Sequence, residues 1–175
     1  MISFPRRGPR ADKVKNIYAF AEGTQMKNLF DAAFADQIKR RMDQLRPDSG
    51  RQWGKRSPAQ VMAHCALGLE MALGEIRPRR KLIGRLMGFV IKPMVLGNDD
   101  EFRRNAPTLD ELVVSGEHDL AAERKRLGQL IDRFVSGGPS ACTSRPHPFF
   151  GPLTPMEWAI LEYKHMDHHL RQFNV

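Results

Sequence analysis

The stretch YKHMDHHLRQF, residues 163–173, holds three of the six histidines of the chain: His165, His168 and His169. Each helical residue advances about 100°. His165 and His169 therefore share a face with Trp158, flanked by Leu161, Met166 and Phe173, while Lys164, Asp167 and Arg171 project from the opposite side. The two rings are expected to point inward, one turn and about 5–6 Å apart at Cβ, with His168 at the edge of that face. Two imidazoles in an apolar interior must find partners for their ring nitrogens, and a divalent metal ion serves both rings at once. The competing reading is a pair of core histidines with hydrogen-bond partners.

A third ring is available on another helix. His64 lies in line with Val61, Leu67, Gly68 and Met71 and should face the same interior. Three neutral histidines leave coordination positions open, as in a catalytic rather than a structural metal site. A zinc-protease motif would place Glu after the first His; that position is Met166, and Asp167 points away, so protease chemistry is not expected. A general base must come from elsewhere. Glu162 and Glu75 lie on inward faces, and His168 stands beside the site. His147, in RPHPFFG, sits where a loop could cover a pocket mouth, add a ligand or simply plug the packing. His118 stands among polar residues and is read as ordinary.

These side chains need helices to hold them. Residues 28–45 space Leu29, Phe30, Ala33, Phe34, Ile38, Met42 and Leu45 at three- and four-residue steps, the period of an amphipathic helix. A loop rich in Gly and Pro then ends in Ser57-Pro58-Ala59-Gln60, a cap, proline and capping box that start a helix over residues 58–76. That helix is apolar all round and should be central. A short basic and apolar helix is expected over residues 79–91, and a third long one from about His118 to Gly137-Gly138. A proline-rich loop leads to Thr154-Pro155-Met156-Glu157, which caps the last helix, running to about Phe173. The reading is all-α: a four-helix bundle with one extra short helix.

At 175 residues, 41% hydrophobic and 27% charged, the chain suits one globular domain, and no apolar run is long enough to cross a bilayer. The two cysteines, Cys65 and Cys142, make no disulfide framework. A cytoplasmic location is expected. The net charge of +8 is concentrated at the front: residues 1–56 carry 13 Lys/Arg against 6 Asp/Glu. Residues 1–25 look like a disordered basic tail before a domain over 26–175, with Met26 an alternative start. The charge opens a second reading, a basic helical module for nucleic acid or an acidic partner, although aromatics are few there and no nucleic-acid motif is present. A third is a pocket that senses or stores a metal or ligand without turnover.

Three blocks, RQWGKRSPAQVMAHC, HPFFGPLTPMEW and YKHMDHHLRQF, in that order, resemble the DinB/YfiT-like superfamily of four-helix metalloenzymes, and within it a bacterial branch described only as a domain of unknown function. The resemblance covers the chain from about Met26. It implies three metal ligands, His64, His165 and His169, with zinc or nickel as the ion. It also implies thiol-dependent S-transferases or isomerases that use mycothiol or bacillithiol, and homodimers. Many members end their motif His-His-Arg-Gly-Gln, whereas this chain has His168-His169-Leu170-Arg171-Gln172. The expected function is a divalent-metal enzyme that transfers a low-molecular-weight thiol to an electrophile or performs metal-assisted hydrolysis.

Overall fold

The computed structural model describes residues 26–80 and 82–175; the expected N-terminal tail over 1–25 lies outside the described residues. Five α-helices carry the fold: α1 (Ala32–Gln44), α2 (Pro58–Ala72), α3 (Leu82–Leu96), α4 (Leu120–Gly137) and α5 (Pro155–Arg171). Two 3-10 turns, Asp110–Leu112 and Gly138–Ala141, flank α4. Among the described residues there is no strand, only an isolated bridge between His147 and Gly151. The domain is all-α, and none of the described helices is long and apolar enough to cross a membrane.

The caps written in the sequence are made. Ser57 and Gln60 close a capping box on α2, and Thr154 and Glu157 close one on α5, serving amide groups that a helix start leaves without partners. Twelve of the fifteen residues of α2 are buried, which is why its pattern is apolar all round. It packs on α4 and α5, and α1 packs on the same two helices from the other side. Leu69, Leu127, Ile131, Phe134, Trp158 and Leu170 lie in the closed interior.

Three boundaries differ from the sequence reading. α1 begins at Ala32, not Asn28, because the Asn28 side chain accepts hydrogen bonds from Phe30 N and Asp31 N and holds a turn that competes with helix. α2 stops at Ala72, followed by Gly74 at φ +79°, a conformation glycine adopts without penalty. α3 starts at Leu82 and continues through Pro93. A proline cannot donate to the Phe89 carbonyl, but Phe89 is largely exposed, so water can serve that oxygen. α3 lies against the proline-rich loop through Gly84, where an added Cβ would come within 2.6 Å of Phe149 Cα.

Replacing Thr154 by alanine removes the α5 cap and should cost about 1 kcal/mol in urea unfolding, while Thr154→Ser retains most of it.

Candidate metal centre

α2 and α5 bring His64, His165 and His169 together. One ring nitrogen from each lies within 4.8 Å of the other two. The ring centroids are 4.8 Å apart for His64 and His165, 4.9 Å for His64 and His169, and 5.0 Å for His165 and His169, with the rings edge to face. His64 and His169 are buried; the His165 side chain, 15% exposed, is the part of the cluster open to solvent.

The hydrogen bonds behind the rings decide which nitrogens face the centre. His64 Nδ1 lies 2.7 Å from the Leu112 carbonyl, in the 3-10 turn before α4. A carbonyl only accepts, so Nδ1 carries the proton and Nε2 offers a lone pair inward. The same logic passes through two residues at His169. Gln172 Nε2 donates to the Trp53 carbonyl at 2.7 Å, which turns Gln172 Oε1 toward His169 Nδ1 at 3.0 Å. His169 Nδ1 must then be the donor, and its Nε2 is free as well. The grip on Gln172 belongs to the loop before α2: Gln52 N donates to the Gln172 carbonyl at 2.7 Å, and Gly54, at φ +75°, leaves room where a Cβ would stand 2.5 Å from Gln172 Nε2.

His165 completes the set. Its Nε2 is 2.9 Å from His64 Nε2; two nitrogens on one tetrahedral zinc ion would stand ~3.3 Å apart, given Zn–N bonds of about 2.0–2.1 Å. Since His64 Nε2 carries no proton, the pair either shares one proton from His165 or aims two lone pairs at a cation. Behind His165, Glu162 Oε2 is 3.7 Å from Nδ1, fully buried and without a hydrogen-bond partner. A carboxyl oxygen in that place suits a histidine that gives its Nε2 to a metal and turns its Nδ1–H to an acceptor. The donor set fits a divalent ion.

Burial keeps the cluster uncharged. It pushes His64 down to about 3, with repulsion from His165 and Arg56 adding to it, and His165 down to about 4, again with Arg56. His169 is held well below its ordinary value by burial and by the other two rings. Burial moves Glu162 the other way, up to about 8. The cluster therefore presents neutral imidazoles at neutral pH, the form that binds metal.

The remaining sequence candidates separate. His168 packs its ring between Trp53 and Phe102, at 5.4 and 6.0 Å, at the edge of the cluster. His147 Nδ1 accepts from Phe149 N and Phe150 N, both at 3.1 Å, so Nε2 holds its proton; the ring stacks on Phe150 at 4.7 Å and stays outside the three-histidine group. Glu75 is not inward: α2 ends before it, and it is exposed and ion-paired with Arg133. His118 bonds Glu123 and the Ser115 carbonyl. Burial raises both thiols, Cys142 to about 11, so neither cysteine is a ready nucleophile.

Sequence reasoning assigned no role to Leu112, Gln172 or Gly68. Gln172 stands three residues after His169, a spacing that could have drawn attention to it. Gly68 follows His64 by one turn, and a Cβ there would come within 2.8 Å of Glu162 Oε2 and 3.0 Å of His165 Nδ1.

The family model described as "Protein of unknown function (DUF1569)" matches residues 25–175. No curated protein and no solved structure matches significantly.

Two outcomes are expected from this geometry. Histidines depressed below 6.5 contribute stability present above 6.5 and lost as pH falls toward about 3 to 4. Glu162, raised above 4.5, contributes stability present below 4.5 and lost as pH rises through about 8. Four depressed histidines outweigh one raised carboxyl until the unfolded imidazoles have lost most of their protons, so urea unfolding of metal-free protein should show greatest stability at about pH 7, falling steeply on the acid side. Gly68→Ala should destabilise by about 1–3 kcal/mol despite the better helix propensity of alanine, because Glu162 and His165 must move; unfolding of the variant beside wild type checks it.

Proposed function

The chain belongs to the DUF1569 family over residues 25–175, and from its site we propose that His64, His165 and His169 hold a divalent metal ion, zinc or nickel, in an enzyme of the thiol S-transferase or hydrolase type. One observation carries the reading: three neutral imidazoles from two helices converge within 4.8 Å, two of them with the outer nitrogen committed to an acceptor and the inner one bare. An ion held by three histidines acts as a Lewis acid, lowering the pKa of a water or a small thiol so that a nucleophile exists near neutral pH.

The chain's own groups have distinct parts in this proposal. The Leu112 carbonyl and Gln172 Oε1 fix the tautomers of His64 and His169. Glu162, on the Nδ1 side of His165 and away from the centre, positions that ring rather than moving substrate protons. The partly exposed His165 edge marks where a reactant enters. His168, its pKa lowered above all by burial, stands nearest as a proton carrier beside that entrance.

The same proposal places the fold with the DinB/YfiT-like four-helix bundles. In its support, α1, α4, α2 and α5 contact one another in a closed ring with α3 outside it, and the histidines divide as one on α2 and an HxxxH on α5.

Elemental analysis of tag-free protein, loaded with zinc, nickel or cobalt, should find about one ion per chain, and the cobalt form should absorb in the visible. His165→Ala/His169→Ala should lose the ion. Glu162→Gln should keep the fold and weaken metal affinity about 10- to 100-fold. A wild-type protein that takes up no ion after reconstitution overturns the proposal.

A further inference from the structure

Away from the histidines, a cavity of about 250 Å³ lies between the end of α2, the segment leading into α3 and the proline-rich loop. Met71, Pro148 and Trp158, all buried, line its inner part. Arg77, Arg79, Arg80 and Arg145, all exposed, line the outer part, and no acidic residue among the described residues lines it. Among the described residues none of the four arginines makes an ion pair; Arg77 has one long hydrogen bond, to the Gly74 carbonyl at 3.4 Å. They differ in this from Arg126, Arg133 and Arg171, each of which pairs with a carboxylate. Like charges gathered around one opening repel, and an anion among them removes that repulsion.

A second, independent feature lies in the wall. Trp158 is wholly buried, and its indole Nε1–H has no hydrogen-bond partner. Buried donors are nearly always paired, so a donor left over in the wall of a cavity is most simply served by what enters the cavity. A guanidinium fork matches the geometry of carboxylate and phosphate groups, and Met71 and Pro148 offer apolar contact beside it.

We propose that this cavity binds a small organic anion, with its carboxylate or phosphate group between Arg79, Arg80, Arg145 and the Trp158 indole N–H and a short apolar body against Met71 and Pro148. The site stands apart from the three-histidine cluster and does not require a metal ion to be present.

The test follows the indole N–H signals of ¹⁵N-labelled full-length protein, two in number because the chain has two tryptophans and assigned with Trp53→Phe. Hexanoate should shift the Trp158 signal downfield and saturate, whereas neutral hexanol should not. Inorganic phosphate separates the two head groups: a saturable shift tighter than that of hexanoate assigns the site to phosphate compounds, and a weaker one to carboxylates with an apolar body. Arg79→Gln/Arg80→Gln/Arg145→Gln should weaken the preferred anion about tenfold or more. Removal of three distant exposed charges, Arg40→Gln/Arg51→Gln/Lys55→Gln, should change it by less than about twofold. Arg145→Gln alone should weaken binding in the same direction, so the outcome does not hang on the triple variant folding. No saturable shift with either anion, an equal response to hexanol, or undiminished binding in the arginine variants overturns the proposal.

Discussion

An imidazole has two nitrogens, and burying three rings side by side obliges six nitrogen atoms to find partners while none of the rings can afford a charge. Here the six divide into an inner and an outer set. The outer nitrogens of His64 and His169 are committed to the Leu112 carbonyl and to Gln172 Oε1, and that of His165 faces the Glu162 carboxyl at 3.7 Å. The inner nitrogens face one another. Much of the rest of the molecule can be understood as the means of keeping the outer set in place. The 3-10 turn of Asp110–Leu112 supplies one acceptor, and the loop before α2 orients another through the Trp53 carbonyl.

That division also explains why α2 and α5 approach so closely at Gly68. A larger residue would occupy the volume in which Glu162 and His165 meet, so the small residue in a helix that otherwise favours larger ones trades propensity for access. The carboxyl is held where water cannot reach it, with its own charge suppressed by burial. Its Oε2 has no hydrogen-bond partner, and the ring nitrogen before it, His165 Nδ1, stands 3.7 Å away, which ties the packing of the two helices to the histidine between them.

How much of this the sequence discloses depends on distance along the chain. The shared face of His165 and His169 follows from helical period alone, and both capping boxes follow from four-residue patterns. The inward placement of Glu162, one turn from Trp158, is legible in the same way. Glu75 is not, because phase arguments hold only while a helix continues, and α2 stops three residues before it. The start of α1 was obscured by Asn28, whose side chain serves the backbone of a turn just where the apolar period begins. The meeting of His64 with His165 spans 101 residues and is set by how the helices pack, which no local pattern encodes. Leu112 acts through its carbonyl, an atom common to every residue, so its identity carries no signal. The amide of Gln172 could have been suspected from its spacing, but the direction it faces depends on Trp53, more than a hundred residues earlier.

Charge teaches a related lesson. Counted along the chain, the basic excess belongs to residues 1–56 and invites a reading in terms of nucleic acid. Arranged in space, several of the cations of the described residues are held in pairs: Arg41 with Asp167, Lys39 with Asp132, Lys92 with Glu157 and Arg126 with Glu70. The most exposed of these pairs contribute little stability, but each reduces the local field of the cation it engages. Other cations, Arg40, Arg51 and Lys55 among them, stand exposed and spread over the surface, whereas the arginines at the end of α2 gather around one cavity, and Arg56, half-buried, helps to keep His64 and His165 neutral. Positive charge gathered around a cavity favours small anions there, because a cavity with low-dielectric walls concentrates a field that an open, screened face disperses.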